Sequence, residues 1–329
     1  MLPFVSSIKV VYLNNADARY STRSDRYKLP RSPAYPLVHP LTSMKGSTRD
    51  EPRYGLYMPN FGKAAHPQIL AKLADEAEKS GWDGFFLWDH LVEWNERVPI
   101  YETFTSLAAV ATNTNRIRIG TTVTPLPKSK PWIVARQTVA LDHLSNGRLT
   151  IGVGLGAEES TDYDRFGEVA DNRVLGEKLD EALSIIAGLW TGKPFSHNGK
   201  HFRVKKTVFL PSPLQKPRIP IWVGGFWPRK GPFRRAAKWD GAIPLRTPGD
   251  LPQPEDIRQV IDYVNNHRRS RAHFDVANIG WTSGVDRKKD REKISPYLEA
   301  GTTWWLESLY TKQDSREKMR ERIRKGPPG

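Results

Sequence analysis

Between residues 53 and 325 the spacing of apolar positions switches repeatedly, and each switch marks a strand giving way to a helix. "RYGLYMP" (53–59) reads as a strand. "HPQILAKLADEAEKSG" (66–81) puts Ile69, Leu73 and Ala77 on one helical face ahead of a glycine stop. "GFFLWDH" (84–90) predicts a second strand and "YETFTSLAAVATNT" (101–114) a second helix. "RIRIGTTVT" (116–124) is rich in β-branched residues and predicts the third strand. "PWIVARQTVALDHLS" (131–145), with Pro131 at a helix-starting position, predicts the third helix. "RLTIGVGLG" (148–156) is the fourth strand.

The period then stretches. Residues 157–174 are polar and read as a loop, and "LGEKLDEALSIIAGLW" (175–190) reads as a helix. Residues 191–218 add a segment whose "HNGK" step suggests a hairpin. Strands at 219–226, 241–245, 275–282 and 302–308 then alternate with helices at 229–239, 254–269, 290–301 and 315–325. Eight strand–helix units predict an α/β fold, a parallel (β/α)8 TIM barrel with helices outside. The stretch 191–218 is expected as an insertion between helix four and strand five. Residues 1–50 lack either period and read as a poorly structured extension before a barrel domain at 51–329. Met44 is an alternative start.

The net charge of +15 is concentrated at the ends. Residues 1–50 hold eight Lys/Arg against three acids, and 310–329 hold seven against three, which leaves +6 for the middle. Basic ends suit solvated tails or nucleic-acid arms. The milder surplus in the middle suits an anionic small ligand. The chain has no cysteine, which excludes disulfides and thiolate chemistry. The first residues do not read as a secretory leader, and no apolar run approaches the ~20 residues of a membrane span. A cytoplasmic protein is expected.

Barrel active sites lie at the C-terminal ends of the strands. Those ends bring in Asn60, Asp89, His90, Thr121, Thr122, Thr124, Gly154, Gly156, Gly224 and Gly225. His90 is the candidate proton donor, because imidazole titrates near neutral pH. Asp89 is its candidate orienter. Strand neighbours point to opposite faces, so only one of the two is expected in the mouth. "GVGLGA" (152–157) spells a dinucleotide fingerprint, but no helix opens directly after it, which opposes a nicotinamide reading. "WVGGFWPRKGPFRR" (222–235) combines Gly224-Gly225, a helix start at Pro228, and Arg229, Lys230, Arg234 and Arg235 as an anion site. Of the eleven tryptophans, Trp88, Trp222, Trp281 and Trp304 sit near predicted strand ends; most are expected in the core, with one or two, Trp222 among them, walling a cleft for a planar cofactor. No His/Asp/Glu cluster has metal-ligand spacing.

Several stretches carry a resemblance: "YGLYMPNFG", "LWDHL", "FTSLAAVATNTNRIRIGTTVTPL", "ARQTVALDHLSNGRLTIGVGLG", "RFGE", "LDEALSIIAGLW" and "PIWVGGF". Together they resemble the bacterial luciferase-like family of flavin- and deazaflavin-dependent oxidoreductases and monooxygenases, over about residues 53–250. The resemblance implies a (β/α)8 barrel with a flavin-type cofactor at the strand ends. Asp89-His90 and Glu158 are similar to the deazaflavin (coenzyme F-420) branch. Gly224 and Gly225 would hold the cofactor phosphate, and a non-prolyl cis peptide is implied near Thr121–Val123. Some FMN members carry an Arg just after strand four, where this chain has Ala157. The expectation is therefore hydride transfer with F-420 on a small organic substrate, with an FMN-dependent monooxygenase as the alternative. A second copy of the chain is a candidate partner. A nucleic-acid-binding protein is the rival from another class, supported only by the charged ends.

Overall fold

Alternation along each strand sorts the apolar side chains into two populations, one facing helices and one facing the strand barrel's interior. On β1 (Arg53–Met58), Leu56 and Met58 join the outer core, while Tyr57 packs inward. On β2 (Gly84–Leu87), Phe85 and Leu87 face outward and Phe86 inward. All four β2 residues are buried, as expected for a parallel strand covered on both sides. The computed structural model describes residues 51–92, 97–156, 161–246, 250–310 and 316–328. The extension expected over 1–50 and the candidate Glu158 lie outside the described residues.

The remaining barrel strands are β3 (Arg118–Pro125), β4 (Leu149–Gly154), β7 (Ile221–Phe226), β8 (Gly241–Leu245), β9 (Asp275–Gly280) and β10 (Trp304–Ser308). They close with β1 and β2 in the order β1-β10-β9-β8-β7-β4-β3-β2, every pair parallel. The eight-stranded TIM barrel expected from the sequence is what forms. Its lumen is plugged by Phe86, Trp222 and Trp304, with ring centroids 5.3–5.6 Å apart. Gly84 and Gly120 give Phe86 its space: a Cβ on Gly84 would sit 2.5 Å from that ring, and one on Gly120 would sit 2.0 Å from the Thr150 carbonyl oxygen. The plug forms a floor below the strand C-terminal ends.

The helices α1 (Pro67–Lys79), α2 (Thr103–Asn113), α3 (Pro131–Leu144), α5 (Asn172–Trp190), α6 (Lys230–Ala236), α7 (Pro254–His267), α8 (Arg287–Glu299) and α9 (Arg316–Arg324) follow the expected units. Two differences arise in the stretch read as a loop. A short helix α4 (Thr161–Asp164) forms there. The helix α5 also starts earlier than residue 175, because the Asp171 carboxylate accepts from the Val174 amide and caps it. The "HNGK" hairpin forms as antiparallel β5 (Phe195–Asn198) and β6 (Arg203–Thr207), between α5 and β7. Among the described residues no helix is long and apolar enough to cross a membrane.

The barrel's N-terminal face is held by Arg148. Its guanidinium donates five hydrogen bonds: to Ser145 O (2.7 Å), Thr114 Oγ1 (2.8 Å), Ile117 O, Ala111 O and Thr114 O (2.9 Å each). Every N–H of the side chain is used.

Candidate active site

β2 ends at Leu87, so Trp88, Asp89 and His90 are no longer in a strand. The alternation argument for Asp89 and His90 therefore does not apply, and both residues line one cavity of about 420 Å³ at the C-terminal end of the barrel. Asn60 fixes this turn from below. Its Nδ2 donates to His90 O (2.9 Å) and Tyr101 O (3.0 Å), and its Oδ1 accepts from His90 N (3.2 Å). Asn60 is fully buried and positions the turn instead of walling the cavity.

His90 packs edge-on to Phe61, with Trp88 on another side. Its Nδ1 lies 3.9 Å from Asp162 Oδ2. Burial depresses the imidazole's proton affinity, Asp162 and Asp89 raise it, and Lys128 lowers it. Asp162 comes from α4 and Lys128 from a single 3₁₀ turn (Leu126–Lys128) after β3. Both side chains are almost fully buried. Neither was singled out from the sequence: they meet His90 only in three dimensions. A basic residue directly after a strand end and an acid in the next connection were the available signals.

Opposite His90, the peptide between Thr122 and Val123 is cis, where the resemblance implied one. Val123 lies between Gly154 and Gly224: a Cβ on either glycine would come within 3.0 Å of its methyl groups. A Cβ on Gly225 would sit 2.1 Å from Pro232 Cβ, so the end of β7 packs directly on α6. Thr122, Val123, Gly154, Gly156, Gly224, Gly225 and Arg229 all line the cavity.

Other candidates fall elsewhere. Thr121 is buried beneath the wall, its Oγ1 donating to Gly152 O (2.8 Å). Trp222 belongs to the lumen plug, and its Nε1 donates to Asp275 Oδ2 (3.2 Å), so it does not wall the cleft. The proposed basic cluster splits. The Lys230 ammonium sits 3.6 Å over the Trp227 ring, and Arg235 pairs with Asp180 at 2.6 Å. Arg229 alone of that cluster faces the cavity. Trp281, another tryptophan near a predicted strand end, is 55% exposed.

The cavity walls are mostly apolar. Tyr57, Val123, Ile243, Leu245 and Ile279 come from four strands and Phe226 from a fifth. Two polar atoms on lining residues, Trp88 Nε1 and Thr122 Oγ1, are buried without a hydrogen-bond partner. Unsatisfied buried donors are costly unless a ligand completes them. A flat heteroaromatic ring bearing carbonyl oxygens fits such walls, with Arg229 just beyond the Gly224-Gly225 end of β7 suited to an anionic tail. Among the described residues no cluster of His, Asp and Glu could hold a metal ion.

A family model described as luciferase-like monooxygenase matches residues 50–324. The oxygenase component of a flavin-dependent trigonelline monooxygenase from Acinetobacter baylyi is 36% identical over 163 residues, 50% of this chain and 44% of that protein. An F-420-dependent glucose-6-phosphate dehydrogenase from Nakamurella multipartita is 31% identical over 167 residues, 49% of this chain and 48% of that protein. These matches span about half the length of either relative or less. Among solved structures, an F-420-dependent secondary alcohol dehydrogenase superposes with a TM-score of 0.71 at 16% identity, covering 84% of this chain and 98% of that one. The oxygenating constituent of 3,6-diketocamphane monooxygenase from Pseudomonas putida gives 0.65 at 17% identity, covering 84% and 96%. At such identities these two likenesses speak to the fold. The family model covers most of the chain, and the chain belongs to the luciferase-like monooxygenase family.

Proposed function

We propose that the protein is an oxidoreductase that uses deazaflavin coenzyme F-420 for hydride transfer to or from a small organic substrate. The observation that carries this reading is His90, flanked by a buried carboxylate, in the wall of an apolar strand-end cavity that also holds the partnerless Trp88 Nε1 and Thr122 Oγ1. The coenzyme supplies hydride chemistry at its ring when bound. The chain's own residues do the rest. Trp88 Nε1 and Thr122 Oγ1 are placed to hold ring polar atoms, and Arg229 with Gly224-Gly225 to hold the anionic tail. Nδ1 of His90 faces Asp162, and Nε2 is the nitrogen we assign to the substrate. In the oxidative direction Nε2 accepts the proton of a substrate hydroxyl or amine; in the reductive direction it returns one. Tyr57, Ile243 and Ile279 exclude water from that step.

An FMN-dependent monooxygenase is the second reading, favoured by the 36% identity to the trigonelline enzyme. Ala157, where some FMN members carry Arg, and Asp89-His90 favour F-420. Titration of the full chain with each cofactor, followed by absorbance and fluorescence, separates them. F-420 is expected to bind more tightly, with affinity falling as salt rises. Tighter binding of FMN would transfer the proposal to the second reading, and binding of neither would remove it.

A further inference from the structure

We propose that the buried Lys128–Asp162 pair is a positioning device for His90: it clamps the turn on both sides of the histidine and sets opposing charges beside its ring. The proposal rests on the reading of His90 as the proton-transfer group. The geometry is two-sided. On the side before His90, Lys128 Nζ donates to Asp89 O (2.8 Å) and lies 3.6 Å from Asp89 Oδ1. On the side after it, Asp162 Oδ1 accepts from Leu91 N (3.0 Å) and Val92 N (3.1 Å). The two clamps are joined by the Lys128–Asp162 contact at 3.4 Å. Three connections, those following β2, β3 and β4, are thereby tied together around one imidazole.

Stability alone is a weak reason for such a pair. Burying two charges incurs a desolvation cost that their attraction often only balances. This pair instead stands where the charge of His90 is decided. Asp162 Oδ2 lies 3.9 Å from Nδ1, an ion-pair distance that favours imidazolium. Lys128, bound to the same carboxylate, opposes it. Other charged or titratable groups nearby include Asp89, also against Lys128; Tyr163, whose hydroxyl donates to Leu155 O (2.6 Å); and Tyr310, whose ring meets Phe61 edge-on and Trp88 at a tilt. Burial pushes the histidine toward its neutral form, and the two carboxylates push back.

The test reads His90 directly and needs no substrate. The full chain, labelled in its histidine rings, is titrated by NMR, and the His90 signal is assigned by its loss in His90→Gln. Asp162→Asn keeps an acceptor for the two loop amides but removes the charge, and should lower the His90 midpoint by about one pH unit. Lys128→Met removes the opposing charge and should raise it by a comparable amount. Asp180→Asn, at the surface pair with Arg235, should leave it in place. Opposite shifts from the two buried variants support the proposal, and either variant alone decides by its sign. No shift, or shifts in the same direction, overturns it. Failure of both variants to fold assigns the pair to stability alone and also overturns it. A chain that binds no cofactor would remove the oxidoreductase reading without moving these midpoints, so the two failures are distinguishable.

Discussion

His90 is where residue-level chemistry is most exposed to test. His90→Ala should leave cofactor affinity largely intact and slow turnover by roughly a hundredfold or more, the usual scale for loss of a general acid or base. Full turnover in that variant would make the histidine structural. Its proton affinity also carries a stability consequence. Burial lowers the folded-state value below the ordinary 6.5, so between the two values the unfolded chain binds more protons. The contribution is therefore complete above the unfolded value and is lost as pH falls through the folded one. Thermal melts from pH 7 down to pH 5 should show a smaller acid-side loss in His90→Gln than in the parent chain. Asp89 and His90 were legible because a strand with four buried residues runs straight into them. Asp162 and Lys128 were not, because an acid in a polar connection and a lysine after a strand end are common signals that do not tell of a carboxylate only 1% exposed after folding. Gly225 belongs to this scale too. Its Cβ would strike Pro232, so Gly225→Ala should destabilise the fold by about 1–3 kcal/mol and weaken cofactor binding together. Urea denaturation beside a cofactor titration checks both.

At the scale of elements, the sequence period located every barrel strand, because burial on both faces leaves unmistakable apolar runs such as "GFFL" and "IWV". Ends were harder to place. The start of α5 depends on one carboxylate cap, and α4 is too short to establish a period. The long run that carried the family resemblance holds much scaffolding at the barrel's N-terminal face: Arg148 staples two connections, and Asp142 accepts from the Leu214 and Gln215 amides (2.7 and 3.2 Å). That explains why the family was readable while the site was only half so. The insertion makes its own prediction. Glu181 accepts from the amides of Lys200 (2.8 Å), His201 (3.1 Å) and Phe202 (3.0 Å), and so docks the β5–β6 hairpin on α5. Glu181→Ala should cost about 1–2 kcal/mol and speed hydrogen exchange at those three amides, with cofactor affinity unchanged. Unaltered exchange there would mean that the hairpin is held by its apolar contacts alone.

For the whole molecule, the open question is what the basic charge serves. Among the described residues, every strand of the barrel and every helix around it lies between Arg53 and Arg324, and Trp82 Nε1 donates to Ile323 O (2.9 Å), joining the two ends of that span. The ring of eight strands is closed by β1 pairing with β10. The cavity likewise draws all its described lining from Tyr57 onward. Residues 1–50, by contrast, carry eight Lys/Arg against three acids, five of the fifteen net charges. Charge of that kind attracts polyanions without contributing to a fold. A chain of residues 51–329 should therefore keep the melting temperature, the barrel's circular dichroism and the cofactor affinity of the full chain. Its retention on heparin should weaken, and the salt at which it elutes should fall. Loss of the fold would make the extension part of the domain. Sequence-specific nucleic-acid binding that persists in 51–329 would count against the oxidoreductase reading, because the barrel itself would then be the binding surface.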